Sequence, residues 1–88
     1  GSTIEISLLS IDGGTLINRA FVYMRQGEVI TEGSYTNETG VVTFNGLLPG
    51  NYDIVVQPTD GFLGATLRDV NVASQFTEVS MTLERSAT

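Results

Sequence analysis

The side chains that could do chemistry in this chain are few in kind. Four arginines (Arg19, Arg25, Arg68, Arg85) stand against ten carboxylates, and the 88 residues hold no His, Cys, Lys or Trp. The missing types exclude whole classes of mechanism. Without His there is no ordinary general base, proton shuttle or imidazole metal ligand. Without Cys there is no disulfide, thiolate site or thiol nucleophile. The Ser and Thr hydroxyls have neither His nor Lys to activate them. A carboxylate pair could in principle act as acid and base, as in glycosidases. Yet Asp12, Asp53, Asp60, Asp69 and the six Glu fall mostly in turns or on outward phases. The residues therefore point away from an enzyme, and no cofactor is called for.

Metal binding would have to use oxygen ligands. Calcium takes about 6–8 of them, usually from clustered Asp, Asn and carbonyl groups. The segments Asp12-Gly13-Gly14-Thr15 and Asn37-Glu38-Thr39-Gly40 are too sparse for that and read as Asx turns. Asn37-Glu38-Thr39 also matches the N-x-[ST] acceptor pattern, a short match that an exposed turn produces readily. A net charge of −6 argues against nucleic acid or an anionic membrane as partner, since phosphate recognition needs a basic stripe. No stretch approaches the roughly 18 apolar residues of a membrane-spanning helix.

One surface feature stands out. In the segment 19–26, Ala20, Val22 and Met24 share one phase, so Phe21, Tyr23 and Arg25 share the other. The outer face of a half-buried strand is ordinarily polar. Phe21 and Tyr23 beside Arg25 could form a stacking platform for a sugar or peptide, or a contact with a neighbouring domain or second copy. They could equally be covered by a loop of the same chain such as 57–63. All three readings stand at this level, and Phe21, Tyr23 and Arg25 are the candidate contact surface.

The elements that must position these residues are strands. Val, Ile and Thr supply 26 of the 88 residues, and these β-branched types favour strands over helices. Apolar residues recur at period two between clusters of Gly, Pro, Asn and Asp. The pattern predicts strands over 3–10, 19–26, 29–36, 41–45, 51–57, 65–73 and 76–83, with Gly27-Glu28 as a tight hairpin. The expected core is Ile4, Ile6, Leu8, Val22, Phe44, Leu47, Tyr52, Ile54, Val56, Leu67, Val79, Met81 and Leu83, with Leu47 reaching inward from a loop. Gly1-Ser2 is set aside as a tag remnant, residues 3–84 form a single domain, and 85–88 read as a polar tail.

The run Thr36-Asn-Glu-Thr-Gly40-Val-Val-Thr-Phe44-Asn-Gly-Leu47-Leu-Pro-Gly50-Asn-Tyr52-Asp-Ile-Val-Val56 resembles the central motif of carboxypeptidase regulatory-like domains. It is similar also to the related Cna B-type modules of bacterial surface proteins. Asp12-Gly13-Gly14-Thr15, Asp60-Gly61-Phe62 and the closing pair 70–83 resemble the family's flanking segments. The resemblance implies an all-β fold: a mainly antiparallel, seven-stranded Greek-key sandwich of the prealbumin-like, or transthyretin-like, type. It also implies an extracellular or cell-surface accessory module that acts as spacer, stabiliser or interaction domain. Neighbouring domains of a parent protein would be its partners, and carbohydrate or protein its ligand if it binds one. Cna B-type modules often carry a Lys–Asn isopeptide cross-link, whose nucleophile is a Lys amine that this chain lacks.

Overall fold

The computed structural model describes residues 1–87. Seven strands form in order: β1 (Ser2–Ser10), β2 (Phe21–Gln26), β3 (Val29–Tyr35), β4 (Val41–Leu47), β5 (Gly50–Val56), β6 (Ala65–Val72) and β7 (Phe76–Leu83). No helix occurs among the described residues. The strands make a three-stranded sheet, β4-β1-β7, packed on a four-stranded sheet, β3-β2-β5-β6. Only the β2–β3 and β5–β6 connections stay within a sheet, and the other links cross between sheets, which gives the Greek-key sandwich. All pairings are antiparallel except one: β1 and β7 run parallel, in register from Thr3↔Phe76 to Ser10↔Leu83.

The alternation that predicts the strands also builds the core. On β1, Ile4, Ile6 and Leu8 are at most 1% exposed, facing Val22, Met24, Ile54 and Val56 from the other sheet. Phe44 and Tyr52 join the same cluster, and the Tyr52 hydroxyl donates to the Leu48 carbonyl at its edge. Leu47 is buried, as expected, but it belongs to β4 rather than to a loop. Gly46, at φ 70, supplies the extra residue of a bulge opposite Thr3. That insertion flips the phase, so Phe44 and Leu47 both point inward although three residues apart.

Two core expectations are corrected. Leu67 pairs with fully buried Ile54 and so shares the inner face, yet it is 39% exposed. Val79 is partly buried and packs against the core. Both lie on edge strands, β6 and β7, where an inward side chain has neighbours on one flank only. Conversely, Ile17, Phe62 and Val72 are buried. Ile17 is held by buried Thr36, whose hydroxyl donates to the Ile17 carbonyl at 2.6 Å and accepts the Ala20 N–H at 3.0 Å.

The terminal segments are more engaged than their polarity suggests. Ser2, set aside as a tag remnant, is buried and pairs with Leu47. Residues 85 and 86, expected to open a polar tail, are tied to the fold. The Ser86 N–H donates to the Gly61 carbonyl at 2.9 Å, Phe62 bridges to Arg85, and the Arg85 guanidinium lies 5.0 Å over the Phe62 ring. Thr88 lies outside the described residues.

Candidate functional site

The outer face of the four-stranded sheet carries the residues singled out from the sequence, and the structure divides them into two groups. Phe21 belongs to an aromatic strip. Its ring meets Tyr35 edge-on at 5.1 Å, lies 6.3 Å from Tyr23, and the Arg19 guanidinium sits 5.9 Å over Tyr35. Phe21 also covers Gly33 on β3 so closely that a Cβ there would come within 2.8 Å of the ring. Phe21 and Tyr23 are therefore half-buried rather than fully exposed. The cover comes from the edge strand. The 57–63 loop docks instead on the segment after β7, where the Leu63 N–H donates to the Glu84 carbonyl at 2.9 Å. Phe21→Ser is accordingly expected to cost about 1–2 kcal/mol of stability and Tyr23→Ser less than about 1, measured by urea denaturation.

Tyr23 and Arg25 belong to a second group, a solvent-open groove of about 590 Å³. Its floor is the paired residues Arg25 and Asp53. Ile30, Gly27 and Glu28 wall it on the hairpin side, and Arg68 reaches it from β6. Arg25 donates through Nε to Asp53 Oδ2 at 3.3 Å, and Arg68 Nη1 stands 3.9 Å from the same oxygen. The other oxygen, Oδ1, accepts the Asp69 N–H at 3.0 Å. The Asp69 N–H first, and the Arg25 guanidinium second, hold the Asp53 carboxyl below the ordinary range.

Of this group only Tyr23 and Arg25 were legible in the sequence. Asp53 counts in the sequence only among the carboxylates mostly in turns or on outward phases, and Arg68 only as one of four arginines. The available signal was a slip in alternation: between Leu67 and Val70 stand two polar residues where period two allows one.

A second charged cluster locks the far end of the sandwich. Arg85 donates through Nε to Asp12 Oδ2 at 2.9 Å and through Nη2 to Thr15 Oγ1 at 3.0 Å. The Ser10 hydroxyl and the Gly14 N–H both donate to Asp12 Oδ1. The Arg85 bond is the largest cause, followed by the Ser10 and Gly14 bonds, holding the Asp12 carboxyl far below its usual range. A carboxyl lowered in the folded state stabilises it above its unfolded value of about 3.9, and that contribution is lost as pH falls from there through the folded value. The stability gap between the natural chain and Arg85→Gln is therefore expected to be constant from pH 5 to 7 and to shrink below about pH 4. Melting temperature against pH measures it. The cluster is exposed, so the gap is small.

At the other Asx turn, Asn37 Oδ1 accepts the Thr39 and Val41 N–H groups at 3.0 Å each. Among the described residues no three His, Cys, Asp or Glu side chains gather as a metal group.

No family model matches the sequence, and no curated protein matches it. Solved structures do resemble it. The Klebsiella pneumoniae 5-hydroxyisourate hydrolase superposes with a TM-score of 0.78 at 18% identity, over 99% of this chain and 93% of that one. A Bacteroides uniformis protein assigned to carbohydrate binding gives 0.75 at 18% identity, over 93% of this chain and 40% of its own. The group B streptococcus pilus 2b backbone protein gives 0.75 at 10% identity, over 98% and 42%. At these identities the likeness is one of fold, and that fold is prealbumin-like. The chain spans less than half the length of the latter two proteins.

Proposed function

We propose that this domain is a non-catalytic spacer module of a larger secreted or cell-surface protein, of the carboxypeptidase regulatory-like kind. The observation that carries this reading is the parallel pairing of the first and last strands. The chain enters β1 at one end of the sandwich and leaves β7 at the other, about 25 Å away at 3.3 Å per residue. The Arg85–Asp12 pair and the Ser86–Gly61 hydrogen bond then clamp the exit, so a neighbour attached there would be held at a set distance and orientation. Likeness to a pilus backbone protein, matched over part of its length, supports the same use. A hydrolytic role is disfavoured by the chain itself. It has no His, Lys or Cys, and both carboxyls with shifted values, Asp12 and Asp53, are lowered and paired with arginine. Such groups are held ionised, whereas a general acid at neutral pH needs a raised value.

Pulling the chain from its two ends loads the β1–β7 hydrogen bonds in shear, all at once. Pulling between Ser10 and the segment after Leu83, which lie side by side, peels β7 away one bond at a time. Single-molecule stretching is expected to show a clearly higher unfolding force in the first geometry. Equal forces would remove the mechanical basis of the reading.

A further inference from the structure

Two β-bulges fall at the same level of the four-stranded sheet. In β3 the register slips at Thr31, between the partners of Met24 and Arg25. In β6 it slips between the partners of Tyr52 and Ile54, opposite Asp53. Arg25 and Asp53 are themselves paired, so both irregularities centre on one ion pair. Bulges bend a strand, increase its twist and re-aim its side chains, and they occur most at sheet edges, where both of these lie, and next to active sites. The β6 bulge holds Asp69 at φ 60, a left-handed conformation disfavoured for a residue with a Cβ, and the Asp69 N–H bond to Asp53 secures it. Its effect is to bring Arg68 across β5. The β3 bulge places exposed Ile30 beside Arg25.

The groove so formed has the size of a small-ligand site. Two arginines and two carboxylates, Asp53 and Glu28, line it. Arg25 and Arg68 share the single carboxylate of Asp53. Arg68 stands 3.9 Å from that carboxylate and keeps a 73% exposed side chain. A chain of net charge −6 thus gathers two of its four arginines at one point. Guanidinium forks match a carboxylate, and the Tyr23 ring with Ile30 offers an apolar wall beside them. Asp53 and Glu28 add acceptors for hydroxyl protons. A sugar acid would use donors, acceptors and wall together, its ring hydroxyls donating to Asp53 and Glu28, whereas the side chains of an acidic peptide would use the arginines and bring no hydroxyl to those carboxylates.

We infer that the groove binds a uronic-acid residue of an acidic glycan, its carboxylate on Arg68 and Arg25 and its ring against Tyr23. This site is independent of the spacer role. The test is an NMR titration of the isotope-labelled chain with trigalacturonate, with neutral galactotriose and with a hexaglutamate peptide. Saturable shifts at Tyr23, Arg25, Asp53 and Arg68 are expected with trigalacturonate. Affinity should fall about tenfold for Arg68→Gln, an exposed change that leaves the melting temperature in place, and about tenfold for the neutral trimer. Absence of saturable shifts overturns the site. Equal binding of galactotriose, or an unchanged Arg68→Gln variant, overturns the carboxylate contact. Equal or tighter binding of hexaglutamate overturns the glycan assignment.

Discussion

Phe44→Ala is expected to lower stability by about 3–5 kcal/mol, the usual cost of removing a buried aromatic side chain and leaving a cavity. Phe44 is 4% exposed, pairs with fully buried Ile4 and packs in the cluster that joins the two sheets. Domains of this size have a total stability of about 5–15 kcal/mol, so the change would remove a large fraction of it. At about 4–8 °C per kcal/mol, the melting temperature should fall by at least about 12 °C. Calorimetry reads this directly, and an unchanged melting temperature would overturn the inward placement of β4. Leu67→Ala is the matched control. It deletes a side chain of similar apolar type on the same inner face, but at an open edge, and should cost less than about 1.5 kcal/mol.

Gly40→Ala is expected to be nearly as damaging, for a different reason. Gly40 ends the turn before β4 at φ 77, where an L side chain costs about 1–2 kcal/mol. An added Cβ would also lie 2.6 Å from the Leu8 carbonyl oxygen and 3.0 Å from the Ile17 nitrogen. Both are backbone atoms, and neither can rotate away. The Leu8 carbonyl accepts the Ile17 N–H, and the Leu8 N–H donates to Gly40 itself. Overpacking of this kind adds about 1–3 kcal/mol. Gly13→Ala separates the two effects, since Gly13 has nearly the same φ, 76, with nothing within 4 Å of the added methyl. The difference between the two variants in urea denaturation should therefore be the steric part alone. Equal losses would show that the approach of Gly40 to β1 relaxes without cost.

The preference for glycine at position 40 is a local matter, because its φ of 77 is a conformation that L side chains rarely adopt whatever surrounds it. Its contact with Leu8 is not, because 32 positions of chain separate the two residues and only the pairing of β1 with β4 brings them together. Tyr52 shows the same division. Its inward phase followed from alternation with Ile54 and Val56, while the hydroxyl's partner, the Leu48 carbonyl, depended on the path of the loop.

Local residue pattern is enough to place the strands, most of their inward faces and the chemistry that is absent. Period-two alternation is a local property of an extended backbone, and a missing side chain is missing in any fold. Tertiary structure decided which strands lie at edges, and so why Leu67 and Val79 remain partly uncovered on a correctly assigned face. It decided also that Arg25, Asp53 and Arg68, one from each of three strands, meet at a single groove. Alternation states which face a residue occupies but carries no information about which strand lies beside it. That neighbour, and the bulges that adjust its register, follow from how the crossing connections close and how the two sheets pack.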